Sequence, residues 1–153
     1  MSPEDLAEHE DIKALKARYF RCLDTKDWVG FADQFTPDAT LDVSGEMRGP
    51  DSNDGFVRGR AEIVAFVRGS IDAVTTVHHG HMPEIDIVSA TEATGIWAME
   101  DMLRWPAGGP LVSMHGYGHY HETYEKVDGR WRIASTRLTR LRVDVEMPEE
   151  VKG

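Results

Sequence analysis

The second half of the chain limits the fold more than any other feature. From residue 75 onward, polar and apolar residues alternate through four long stretches, 75–89, 93–105, 112–127 and 131–145. A period of two is the signature of a strand, in which successive side chains point to opposite faces. Between the stretches lie turn signals: Ala90-Thr91-Glu92, then Pro106-Ala107-Gly108-Gly109-Pro110, then Asp128-Gly129. Long strands joined by short reversals are antiparallel neighbours. Strands of this length twist and curl, and a curled sheet has a concave side that holds a pocket.

The first half reads as helical. Ser2-Pro3-Glu4-Asp5 is a helix start, with a serine cap, proline at the first helical position and acids in the first turn. Leu6, Ile12, Leu15, Tyr19, Cys22 and Leu23 follow near-helical spacing, which predicts a helix to about Asp24. Trp28, Phe31, Ala32 and Phe35 predict a short second helix stopped at Thr36-Pro37-Asp38. Ala39, Leu41 and Val43 alternate as a strand, residues 44–59 form a Gly- and Asp-rich loop suited to controlling entry to a pocket, and Ile63, Phe66, Val67 and Ile71 predict a third helix. Helices followed by hairpin-linked strands make an α+β domain with the helices on one face of an antiparallel sheet.

Composition narrows the function. The chain has 153 residues, enough for one domain with a sizeable core, and 41% hydrophobic residues to fill it. The expectation is one domain over residues 1–153. A net charge of −10 argues against nucleic acid or an anionic membrane surface as partner. The lone Cys22 makes neither an internal disulfide nor a thiolate cluster. The acidic amphipathic N-terminus lacks the pattern of a signal peptide, so the expected location is cytoplasmic. No phosphate loop, nucleophile elbow or dinucleotide fingerprint is present.

Several polar groups are candidates for chemistry. Asp24 falls at the end of the first helix, where the macrodipole disfavours negative charge; in an apolar cavity its pKa would rise towards that of a base. Asp24-Thr25-Lys26-Asp27 ahead of an apolar helix equally fits Asp24 as the cap of helix two. Six of the seven histidines form two clusters, TVHHGH (His78, His79, His81) and HGYGHYHETYE (His115, His119, His121). His78 and His79 face opposite sides of a strand, and a histidine opposite a carboxylate makes a general-base pair. His119, His121 and Glu125 have the spacing of a metal motif, although they equally form a solvent or subunit-contact face. Asp101 shares a strand face with Trp97, Met99 and Leu103, so it is either functional or paired with Arg137, Arg140 or Arg142.

Taken together, RYFRCLDTKDW, TVHHGH, GIWAMED and GYGHYHETYEKVDGRWRI resemble the SnoaL-like branch of the NTF2-like superfamily, from about Ile12 to Arg142. The YEKVDGRWRI hairpin marks the fold. LDTKDW with TVHHG is similar to the segments carrying the aspartate–histidine dyad in scytalone dehydratase, hexachlorocyclohexane dehydrochlorinase and bile-acid 7α-dehydratase. The resemblance implies a cone: three N-terminal helices in the concave face of a strongly curved antiparallel sheet. It places Asp24 and His78 in the dyad, Tyr19 as the pocket tyrosine and Asp101 as a further acidic residue. Departures are Leu23, where scytalone dehydratase has tyrosine, and Tyr19, near where the dehydrochlorinase has a helix lysine.

The resulting expectation is a cofactor-independent lyase of the dehydratase kind. His78 removes a proton, Asp24 orients it, and Tyr19 donates to the oxygen on which charge builds. Trp28, Trp97, Met99 and Tyr120 are expected to line the pocket around a hydrophobic, ring-containing substrate. A ketosteroid-isomerase-like isomerase or a polyketide cyclase fits the same pocket. Two other readings are a non-catalytic ligand-binding or assembly subunit, with Asp24 and His78 apart, and a metal-dependent enzyme using His119 and His121. Relatives imply a homo-oligomer, trimer or dimer.

Overall fold

The structure is a computed structural model, and it describes residues 1–46 and 55–149. Helix α1 spans Pro3–Asp24 and opens with a full capping box: the Asp5 amide donates to Ser2 Oγ, and the Ser2 amide donates back to Asp5. One stripe of α1 is buried (Ile12, Leu15, Lys16, Tyr19, Cys22, Leu23), and it includes a lysine that the apolar pattern did not single out. Lys26 takes a left-handed φ of 61°, which reverses the chain into α2, Trp28–Asp33. The cap of α2 is Asp27, whose Oδ1 accepts the Gly30 amide at 3.0 Å. Asp24 is therefore free of the capping role that its position equally fitted, because the cap must directly precede the first helical residue.

The expected strand around residue 41 is β1, Phe35–Asp42, and it starts earlier than the Thr36-Pro37-Asp38 stop indicated. A short 3-10 turn follows at Ser44–Glu46, and β2 is Phe56–Arg58. The expected entry loop lies largely at residues 47–54, outside the described residues. Helix α3, Arg60–Ile71, precedes the four long strands: β3 (Thr75–Ile87), β4 (Glu92–Arg104), β5 (Ser113–Val127) and β6 (Arg130–Glu146). At the last hairpin Asp128 and Gly129 both have positive φ, 52° and 77°, the requirement of a type I′ turn.

The six strands run in the order β2-β1-β6-β5-β4-β3, an open sheet with β2 and β3 as its edges. All pairings are antiparallel except β1 with β6, which is parallel. A parallel pair needs a long crossover, here most of the chain, so no local signal announces it. Register shifts in β3 after His81 and in the β5–β6 pair at Tyr117/Gly118 and Thr123/Tyr124 bend the sheet. At one of them a Cβ on Gly118 would collide with the backbone carbonyl of Thr139, so only glycine lets the two strands approach.

The three helices pack against this sheet, α1 on β3 and β6 and α3 on β1 and β2, which is the expected α+β arrangement. The core lies between the layers, around Tyr19, Phe31, Phe35, Trp97, Tyr120, Tyr124 and Ile133. Within it sits an ion pair. Lys16 Nζ is 2.8 Å from Glu122 Oε2, and both side chains are fully buried. Lys16 also lies 3.7 Å from the Tyr19 ring centroid and 3.9 Å from that of Tyr120.

Candidate active site

The site forms where the C-terminus of α1 meets the sheet edge. An edge strand presents unpaired backbone amides, and the outward amide of His78 on β3 is one of these. Asp24 takes it up: Oδ2 accepts the His78 amide at 2.8 Å, while Oδ1 lies 2.7 Å from His78 Nδ1. Oδ1 also accepts the Thr76 hydroxyl at 2.9 Å, and Lys26 Nζ donates to that hydroxyl at 2.8 Å. Alternation does the rest, since Thr76 and His78 point to the same side of β3.

These donors decide the ionisation of Asp24. Burial, the largest single influence, pushes its pKa up, but hydrogen bonds from the His78 ring and backbone, the nearby imidazole and Thr76 outweigh it. The carboxyl is held below its ordinary value, contrary to the expectation that an apolar cavity would make Asp24 itself a base. The physical reason is the set of donors: the His78 ring and amide and the Thr76 hydroxyl all bond to a carboxylate that stands behind His78. An ionised Asp24 accepts a proton-bearing Nδ1, so the neutral His78 tautomer carries its hydrogen there and presents Nε2 as the acceptor.

His78 is one wall residue of a cavity of about 290 Å³ between α1, α3 and the concave sheet. Tyr19 and Tyr120 line it, and burial before all else keeps both phenols far above their usual pKa, hence protonated donors. Asp101 also lines it, 3.8 Å from His78 Nε2. Of the three arginines weighed as its partner, Arg140 is the one, in a two-pronged contact of 2.7 and 3.0 Å. Asp101 is thus both paired and on the wall. Gly116 makes this possible, because a Cβ there would strike both Arg140 and Asp101.

Three expected lining residues lie elsewhere. Trp28 bonds through Nε1 to Asp72 Oδ1 at 3.0 Å, tying α2 to the end of α3. Trp97 donates to Tyr124 Oη at 2.9 Å, and Tyr124 donates to Glu122, so it belongs to the buried lysine–glutamate network. Met99 is buried with its sulfur 3.6 Å from Arg140 Nη1, alongside the ion pair rather than at the wall. The apolar wall comes instead from Leu23, Leu41, Phe66, Val67, Ile71 and Leu138. The α3 members were visible as a helical stripe, but a stripe does not say that it faces a cavity.

Among the described residues, His119 and His121 converge with no third metal ligand; their rings stand 6.3 Å apart and His121 Nε2 meets Thr139 Oγ1 at 3.0 Å. They share the outer sheet face with His115 and Tyr117, as the alternation indicated. No described helix is long and apolar enough to cross a membrane.

The chain is 30% identical over 149 residues to the "Probable cyclase FGR4" of Gibberella zeae, covering 92% of this chain and 94% of that one. A scytalone dehydratase-like protein from Novosphingobium aromaticivorans superposes with a TM-score of 0.81 at 24% identity, covering 97% of this chain and 94% of the other. The hexachlorocyclohexane dehydrochlorinase LinA-type3 of Novosphingobium barchaimii superposes with a TM-score of 0.74 at 20% identity, over 92% and 91%. Identities this low carry the fold. The family model for the SnoaL-like domain matches residues 4–137, and the chain belongs to that family.

Proposed function

We propose that the chain is a cofactor-independent enzyme that removes a proton from carbon next to an electron-withdrawing group of a small, hydrophobic, ring-containing molecule. The observation that carries this is the 2.7 Å contact between Asp24 Oδ1 and His78 Nδ1, behind an imidazole on the wall of a largely apolar cavity, its other nitrogen 3.8 Å from Asp101. His78 Nε2 takes the proton. Ionised Asp24 fixes the tautomer and balances the imidazolium that forms. The protonated Tyr19 hydroxyl donates to the oxygen on which charge accumulates, in surroundings too dry to compete with it. Arg140 keeps Asp101 from confronting that charge as a lone anion.

Expulsion of water or another leaving group from the β-carbon then completes a lyase reaction. The 30% identical relative named as a cyclase favours a second outcome on the same intermediate, attack of the carbanion on a second carbonyl to close a ring. A non-catalytic binding role calls for Asp24 and His78 to lie apart, and their contact supports catalysis over it.

Proton abstraction can be read before the natural substrate is identified. Incubation in D₂O with a panel of cyclic ketones and β-hydroxy ketones, followed by NMR, reports exchange of the α-protons. The wild type should accelerate exchange or elimination on at least one member. Asp24→Asn and His78→Ala should abolish it while keeping wild-type circular dichroism at the assay temperature. Folded variants that match the wild type would overturn the reading.

A further inference from the structure

On the convex face, directly behind the site, lies a second cluster of titratable groups that the proton transfer does not use. His79 and His81 occur at i and i+2 on β3, so both project outward, opposite to His78. Glu100 is the residue of β4 in register with His79, and it projects between them. His79 Nδ1 is 3.5 Å and His81 Nε2 3.7 Å from the same oxygen, Glu100 Oε1, and one donor atom from each of the three residues lies within 4.8 Å of the other two. The other oxygen, Oε2, is held by His115 Nε2 at 3.1 Å. His115 is itself fixed, stacked on Tyr117 at 4.4 Å between ring centroids, with the Tyr117 hydroxyl 3.3 Å from Nδ1.

We infer that His79, His81 and Glu100 form a binding site for a divalent transition-metal ion of the zinc type. Two imidazoles, which are borderline donors, beside one hard carboxylate suit zinc, cobalt, nickel or copper rather than calcium or magnesium. A tetrahedral ion with ligand bonds near 2.0–2.1 Å places its ligands about 3.3–3.4 Å apart. The two His–Glu100 distances exceed that by a few tenths of an ångström, which rotation of half-exposed side chains supplies. His115 plays the part of an outer partner, fixing the carboxylate and leaving Oε1 for the ion. Three protein ligands leave a fourth position for water, and the net charge of −10 draws cations towards the surface. The ion would bridge the edge strand β3 to β4 across the sheet from His78.

The test uses the full chain without a histidine tag, freed of metal by dialysis against chelator, then titrated with Zn²⁺ by calorimetry and with Co²⁺ by visible absorption. The expected result is one Zn²⁺ per chain and a Co²⁺ spectrum stronger than that of the aqueous ion, the mark of a four-coordinate site. His81→Ala and Glu100→Gln should each weaken Zn²⁺ binding by at least about tenfold, and His115→Ala by less. A variant with both His119 and His121 changed to alanine should bind as the wild type does. All five residues are partly or largely exposed, so folding is checked by circular dichroism and is not expected to be at risk. Absence of stoichiometric binding, an unchanged affinity in folded Glu100→Gln, or loss tracking His119 and His121 would each overturn the inference.

Discussion

At the scale of single residues, the site is governed by what surrounds one carboxylate. Asp24 stands where the helix dipole opposes a negative charge, and it is ionised because His78 and Thr76 supply three hydrogen bonds. Thr76 is the positioning residue here: Lys26 occupies its oxygen, so its own hydrogen goes to Asp24. Thr76→Val should lower kcat by about tenfold with little change in KM, since a hydrogen bond to a charged group is worth ~1.5–3 kcal/mol and only part reaches the imidazole. Thr76→Ser, which restores the hydroxyl, should recover most of the loss. Asp24 also ties stability to pH. Its folded pKa lies below the unfolded one, so its contribution is complete above the unfolded value, near 3.8, and disappears as pH falls through the folded value. Urea titrations of wild type and Asp24→Asn should therefore differ at pH 6 and converge in strong acid; a gap that widens with acidity would contradict the assignment.

At the scale of elements, two inward glycines open the sheet to side chains from its neighbours. Gly80 on β3 leaves room for Phe20 and Trp97, and Gly116 on β5 admits the Arg140–Asp101 pair. Gly116→Ala must displace a buried ion pair, because a methyl group there overlaps both partners. The expected cost is about 1–3 kcal/mol in chemical denaturation, together with a larger loss of turnover, since Asp101 and Arg140 both line the cavity. How much of this was legible follows from the reach of each signal. Alternation found β3 to β6, set His78 opposite to His79 and put Asp101 on one face with Trp97, because the period acts locally; that His78 belongs to the pocket came from the family resemblance. Alternation did not find the parallel β1–β6 pairing, whose partners stand almost a hundred positions apart. Nor did it give depth along a face: Trp97 and Asp101 share one, yet only Asp101 reaches the cavity. Asp24 was ambiguous in sequence because, with Asp27 as an acid three residues on, it fits the cap of helix two as well as a chemical role; the chain reversal at Lys26 gives the cap to Asp27 instead.

At the scale of the whole molecule, the helical layer and the sheet are joined through a charge. Lys16 lies on the buried stripe of α1 between Leu15 and Tyr19, and Glu122 on the concave alternation of β5 between Tyr120 and Tyr124, and the apolar patterns singled out neither. Their contact spans the interface and is satisfied on every side. Tyr124 donates to the second carboxylate oxygen at 2.8 Å, and the lysine lies against the rings of Tyr19 and Tyr120. Those same two tyrosines form part of the cavity wall, so the pair that binds the layers together also sets two hydroxyl donors on that wall. Lys16→Met removes the cation and strands Glu122 in a dry interior, which should cost about 3–5 kcal/mol in urea unfolding. Adding Glu122→Gln takes away the stranded charge, so the double variant should regain a large share of that loss. Turnover separates the two roles. If the ion pair positions Tyr19, the double variant will be folded at 25 °C yet slower than wild type in the deuterium-exchange assay, whereas a purely structural clamp would leave the refolded double variant at full rate.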